Sequence, residues 1–118
     1  MTRHWIAGCL TGVALAWGVA ALAQDAAKID KGKKIYETAT PKCKVCHAVG
    51  AEGNAKGSLD GVGSKLSADE IKAWMRTPKE MTEKTKAARK PAMPAYSQEK
   101  LSDEDLDALT AYMQSLKK

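Results

Sequence analysis

Apolar residues recur at helical spacing in three segments of the chain. Residues 28–39 form the first segment, and the second begins after Ser67 and should end before Pro78, which cannot continue a helix. The third begins after Ser102 and runs to the C-terminus. The buried faces predicted for these three helices are Ile29, Gly32, Ile35, Tyr36 and Ala39; Ile71, Trp74 and Met75; and Leu106, Leu109, Tyr112, Met113 and Leu116.

The residues at two helix starts support this prediction. Ser67 is followed by Glu70, and Ser102 by Asp105, which is the spacing at which a serine hydroxyl caps a helix. Residues 50–63 contain five glycines and show no alternation of apolar and polar positions, so we expect a loop there. Because no two β-like runs are available to pair, the predicted fold class is all-α.

The first 23 residues have the pattern of an export signal rather than of a folded segment. Arg3 is their only charged residue, a long apolar stretch follows, and an Ala-Leu-Ala triplet precedes an abrupt change to polar residues. We expect cleavage after residue 23, which would leave a single domain at residues 24–118 in the periplasm. An uncleaved membrane anchor is the alternative. Cys9 is interpreted as an apolar residue of the signal.

The composition of the predicted mature domain indicates a core that needs help from a cofactor. The chain has no Phe, and a domain of this size often depends on a metal, a disulfide or a bound group for stability. Without Arg3, 18 basic and 14 acidic residues remain, a net charge of +4. This excess is too small and too interspersed to suggest nucleic-acid binding, although it would favour partners with acidic surfaces.

The sequence Cys43-Lys44-Val45-Cys46-His47 is the attachment motif for haem c. Two thiols three positions apart can bond the two vinyl groups of one porphyrin edge, and the next residue, His47, is then placed as the proximal iron ligand. A structural zinc site would want four ligands, a thioredoxin-like pair would need flanking strands, and a simple disulfide would leave the histidine unexplained. We therefore expect one haem c, covalently attached through Cys43 and Cys46.

The sixth iron ligand is expected to be Met93, since no second histidine exists in residues 24–118. Met93 lies in Pro91-Ala92-Met93-Pro94, where two prolines favour a stiff extended loop that could hold a thioether at the iron. The alternatives are an open position, Met75 and Met113 on helical faces, and Met81 in the charged run from Lys79 to Lys90. A His/Met pair raises the reduction potential.

With these motifs, the sequence resembles a bacterial class I cytochrome c over about residues 28–118. The attachment motif lies near the N-terminus of this region, Met93-Pro94-Ala95-Tyr96 is similar to the family's Met-Pro-x-Tyr strap, and a helix closes the chain. The resemblance implies a small fold of three main helices and loops wrapped around one covalently bound haem. It also implies His47 and Met93 as the two axial ligands.

Further details follow from the same resemblance. The first and last helices should cross closely at Gly32. The family's Gly-Pro, whose carbonyl accepts the proton of the proximal imidazole, is replaced here by Gly-Ser-Leu, so either Gly57 or Ser58 could provide that carbonyl. Trp74 resembles the family's hydrogen-bond donor to a haem propionate and is equally a candidate for the core.

We therefore expect a periplasmic electron carrier, not an enzyme, that cycles one haem c between Fe(II) and Fe(III). It should be a monomer with no stable membrane insertion after signal removal. Its expected partners are redox proteins with acidic docking surfaces, facing the basic residues Lys79, Lys84, Lys86, Arg89 and Lys90. The alternatives are a haem subunit of a dehydrogenase or oxidase complex, and a peroxidase or gas sensor with an open sixth position.

Overall fold

The computed structural model describes residues 16–87 and 89–118. This part of the chain is mostly helical, with a short two-stranded sheet, so the predicted all-α class is confirmed in its essentials. In chain order, the elements are α1 (Ala16–Thr38), β1 (Ala48–Val49), β2 (Glu52–Gly53), α2 (Val62–Lys65), α3 (Ala68–Arg76), α4 (Pro78–Thr85) and α5 (Asp103–Ser115). Single 3₁₀ turns lie at Cys43–Val45 and Ala55–Gly57.

Helix α1 is longer than the sequence pattern predicts. It begins at Ala16 rather than at residue 28, because residues 16–27 are rich in alanine and contain no proline. The remainder of the predicted signal, including Cys9, lies outside the described residues, and cleavage after residue 23 stays a prediction. No helix in the described ranges is long and apolar enough to cross a bilayer.

The packing of α1 on α5 forms the centre of the core, as the predicted crossing at Gly32 requires. Gly32 is buried, and a Cβ built on it would lie only 2.0 Å from the carbonyl oxygen of Ala108 in α5. One turn further along, the rings of Tyr36 and Tyr112 have centroids 6.0 Å apart at an interplanar angle of 56°. Leu109 is almost completely enclosed. The predicted apolar faces therefore do meet in the core.

The predicted serine caps of α3 and α5 are confirmed. The Ser67 hydroxyl accepts a hydrogen bond from the backbone N–H of Glu70 at 3.2 Å, and Ser102 does the same for Asp105 at 3.2 Å. The carboxylate of Glu70 accepts from the Ser67 hydroxyl at 3.2 Å, whereas a full capping box would have it accept from a backbone N–H. Each cap satisfies a donor that the first helical turn leaves free.

Two parts of the prediction for the connecting segments are wrong. Residues 50–63 are not a plain loop, because β1 and β2 pair antiparallel, with Ala48 opposite Gly53, and α2 begins at Val62. Strands of two residues are too short to show any alternation in the sequence. The charged run after Pro78 begins with a helix, α4, in which the proline occupies the first turn, where its missing N–H has no consequence.

Candidate functional site

The attachment motif is folded as a tight turn that brings its two cysteines to one side. The backbone N–H groups of Cys46 and His47 both donate to the carbonyl of Cys43, at 3.1 and 2.9 Å. Both cysteines are free thiols. Burial raises the pKa of the Cys43 thiol above its ordinary value, since an apolar environment disfavours the thiolate. The motif therefore presents two free thiols and an imidazole together.

The imidazole of His47 is fixed by a backbone carbonyl. Its Nδ1 lies 2.9 Å from the carbonyl oxygen of Gly57, and because a carbonyl only accepts, Nδ1 carries the proton. The Nε2 lone pair is thereby left free for a metal. Burial lowers the pKa of His47, which also favours the neutral ring that a metal requires. Of the two carbonyls that the sequence left open, the structure selects Gly57.

Backbone contacts between β1 and the segment after Gly57 explain why the Gly57 carbonyl is available at this position. Ser58 bridges to Ala48, and the backbone N–H of Leu59 donates to the Ala48 carbonyl at 2.8 Å. These contacts place residues 57–59 beside Ala48, the residue that follows His47. A Cβ on Gly57 would lie 2.0 Å from the carbonyl oxygen of Cys46, so the position requires glycine.

Met93 reaches the same region from the other end of the domain. Residues 92–97 have no regular secondary structure, as the two prolines predict. The Met93 side chain is half-buried and packs against the core cluster. Among the other methionines, Met75 and Met113 are buried on helices and also border the cavity, whereas Met81 is buried in α4 away from it.

A largely apolar cavity of about 360 Å³ lies between the attachment turn and the Met93 segment. All four site residues predicted from the sequence line it: Cys43, Cys46, His47 and Met93. Its size falls in the range of small-molecule and cofactor pockets. Trp74 lines the wall as well, where it can serve both as core and as a donor to a bound group. Among the described residues around it, Lys42 and Arg89 are cationic and no carboxylate is present.

The residues present therefore fit a flat, apolar cofactor that bonds two thiols and offers iron to an imidazole. No group of three or more His, Cys, Asp or Glu side chains within residues 16–87 and 89–118 could hold a metal ion alone.

Comparison with known proteins agrees with this geometry. The chain is 31% identical to cytochrome c oxidase subunit 2 of Alkalihalophilus pseudofirmus, in a match covering 75% of this chain and 25% of that protein. The chain thus spans about a quarter of the length of this relative. No solved structure matches at a significant level. The model of the family described as cytochrome c matches residues 29–117, which include the attachment turn, the Met93 segment and α5. The chain belongs to the cytochrome c family.

Proposed function

We propose that this protein carries one haem c, bonded through Cys43 and Cys46, and passes single electrons between redox proteins of the periplasm. Family membership supports covalently bound haem and electron transfer in general. The observation that carries the specific proposal is the convergence of four residues, separated by up to fifty positions, on one apolar cavity. When bound, haem supplies a one-electron change between Fe(II) and Fe(III).

The protein's own residues would prepare both faces of that group. The Gly57 carbonyl holds His47 in the tautomer with the proton on Nδ1, so the Nε2 lone pair would be free to bind iron. Met93 offers a thioether from an irregular segment rather than from a helix. The apolar walls would shield a bound haem from water, and an apolar environment disfavours the more highly charged ferric state. His/Met ligation within apolar walls would favour a relatively high reduction potential.

The surface around the cavity supports docking of acidic partners. Lys84 and Lys86 are exposed, Ala87 and Arg89 border the cavity, and Lys90 is exposed beside them. Val45, between the two cysteines, is a large hydrophobic residue with 68% of its surface exposed. An exposed apolar residue that shares the cavity rim with the cations Lys42 and Arg89 suits brief complexes between redox proteins.

The decisive experiment is an optical spectrum and a redox titration of the protein purified after expression of the full-length chain. We expect intact mass to equal residues 24–118 plus one haem, which would support both export and single attachment.

Met93→Ala should abolish the ferric sulfur-to-iron charge-transfer band and lower the potential, because thioether ligation favours Fe(II). Met81→Ala is the matched control, since Met81 does not line the cavity. A band that survives Met93→Ala would refute this ligand assignment.

A second candidate function is electron entry to an oxidase as a bound haem module. The observation that favours it is the relative described as an oxidase subunit 2, of which this chain matches a quarter. A haem protein that elutes from native extract as a small monomer would favour the diffusible carrier. Co-elution with a copper- or haem-containing oxidase would favour the module.

A further inference from the structure

The segment that carries Met93 makes few contacts of its own that could hold it. Residues 91–95 donate and accept no hydrogen bond with any other described residue, and two of them are prolines without an N–H. The first fixed point after Met93 is Tyr96, which is 4% exposed. The position of the thioether must therefore depend on how Tyr96 is held.

Both peptide groups of Tyr96 are held by consecutive residues at the end of α3. Its backbone N–H donates to the carbonyl of Met75 at 2.8 Å. Its carbonyl oxygen accepts from Nη1 of Arg76 at 2.9 Å. The phenol hydroxyl of Tyr96 donates to the carbonyl of Pro41 at 2.6 Å, two residues before Cys43. One tyrosine thus joins the Met93 segment to α3 and to the attachment turn.

The guanidinium of Arg76 is itself fixed from the other side. Its Nη2 donates to Oε1 of Gln98 at 2.9 Å and to Oδ1 of Asp103, at the start of α5, at 3.0 Å. The Arg76 side chain is only 23% exposed. The amide of Gln98 and then the Arg76 guanidinium hold the pKa of Asp103 below its ordinary value, so this carboxylate is charged at neutral pH. The planar guanidinium donates to three acceptors in different directions, which the single ammonium group of a lysine cannot do in the same geometry.

We propose that Arg76 and Tyr96, the Arg76–Tyr96 clamp, are positioning residues that keep the Met93 thioether at the sixth position of the iron. The inference rests on the proposed function, because it requires Met93 to be a ligand. The clamp fixes the chain three residues after Met93, and the attachment turn is tied to the same tyrosine. Loosening it should increase the fraction of molecules in which the sixth position is open to other ligands.

A titration of the ferric holoprotein with imidazole measures that fraction, because imidazole can bind only where the thioether has left. A hydrogen bond to a charged group contributes more than one between neutral groups. For Arg76→Gln we expect the apparent affinity for imidazole to rise about tenfold, which corresponds to about 1.4 kcal/mol. Arg76→Lys should behave similarly. Tyr96→Phe, which keeps the ring and loses only the hydroxyl, should raise the affinity about threefold to tenfold.

The matched control is Lys72→Gln. Lys72 lies on α3 and pairs with Asp107 of α5 at 2.5 Å, so its loss weakens the same helix pair without touching Tyr96. We expect its imidazole affinity to stay within about twofold of wild type, and thermal unfolding should be measured on every variant. If Arg76→Gln and Tyr96→Phe lower the unfolding temperature but leave imidazole affinity as in Lys72→Gln, the residues are merely structural and the clamp is refuted.

The outcome for the proposed function is read separately from the wild-type protein. A ferric wild type that shows the sulfur-to-iron band, together with loss of the band in Met93→Ala, supports Met93 ligation, whatever the clamp variants do. A wild type without that band overturns the ligand assignment and the clamp together. Should Arg76→Gln fail to fold, Tyr96→Phe alone decides the question.

Discussion

Replacing Gly32 with alanine should destabilise the domain, although alanine is the better helix former. The Cβ that the change adds would lie 2.0 Å from the carbonyl oxygen and 2.6 Å from the carbonyl carbon of Ala108. It would also lie 2.7 Å from the Cβ of Tyr112. All three are atoms of α5 that cannot rotate away, so α1 and α5 must separate.

The size of the effect follows from these distances. Carbon atoms in contact prefer about 3.5 Å or more, so the helices must move apart by roughly 1 Å. Overpacking of a core typically costs about 1–3 kcal/mol, and contact with backbone places Gly32→Ala at the upper end. The higher helix propensity of alanine over glycine stabilises the helix by about 1 kcal/mol. We expect a net loss of about 2 kcal/mol, or a fall of roughly 10 °C in Tm for a domain of this size.

Thermal unfolding of the holoprotein, followed by circular dichroism, measures this directly. Lys33→Ala changes the adjacent, exposed residue of α1 and should alter stability by less than about 0.5 kcal/mol. The near-ultraviolet signal of Tyr36 and Tyr112, whose rings lie next to the crossing, should also change in Gly32→Ala. A variant as stable as wild type would mean that α1 and α5 do not cross at Gly32.

Three further outcomes are expected from the same structure. Replacing both cysteines of the attachment motif with alanine should leave little cooperative helix by circular dichroism, because a core without Phe needs the cofactor to fill it; a well-folded apoprotein would contradict this. Lys72 lowers the pKa of Asp107 below its ordinary value of 3.8. The ion pair therefore stabilises the fold above pH 3.8, and this contribution is lost as the pH falls through the lowered pKa. The Tm difference between wild type and Asp107→Asn should accordingly disappear once the pH is below that pKa. Electron transfer to an acidic partner should slow as salt rises, and charge reversal at Lys86 and Lys90 should flatten that dependence in stopped-flow measurements; a rate indifferent to both changes would place docking elsewhere.

The helices that could be predicted are those whose starts are encoded locally. Ser67 and Ser102 each cap a helix through a residue three positions later, and an apolar stripe follows, so α3 and α5 were found with nearly correct bounds. Helix α4 was missed because only Pro78 and Met81 of its eight residues are buried, which is too few for a stripe. In addition, a proline is common both just after the end of one helix and in the first turn of the next, so Pro78 alone does not indicate which applies.

The residues of the site also differ in whether a local sequence pattern marks them. Cys43, Cys46 and His47 lie within five residues of one another, and Met93 is marked by its two prolines, so all four could be proposed as site residues without coordinates. Arg76 could not, because a basic residue in the last turn of a helix is expected from the helix dipole alone. Its bonds to a segment twenty residues away depend on tertiary packing that no local pattern records.

Two glycines after the attachment motif determine which group accepts the hydrogen bond of the His47 imidazole. A Cβ on Gly53 would lie 2.2 Å from the carbonyl oxygen of His47, and one on Gly57 would lie 2.0 Å from that of Cys46. Both glycines therefore let one backbone lie directly against another, and this contact is what gives His47 a carbonyl as its hydrogen-bond partner. A carbonyl carries no net charge and does not titrate. A carboxylate at the same place would stabilise the more positive ferric state and would make the potential depend on pH. Close backbone packing thus fixes the imidazole while leaving the charge around it constant, which suits a protein whose proposed role is to exchange electrons and not protons.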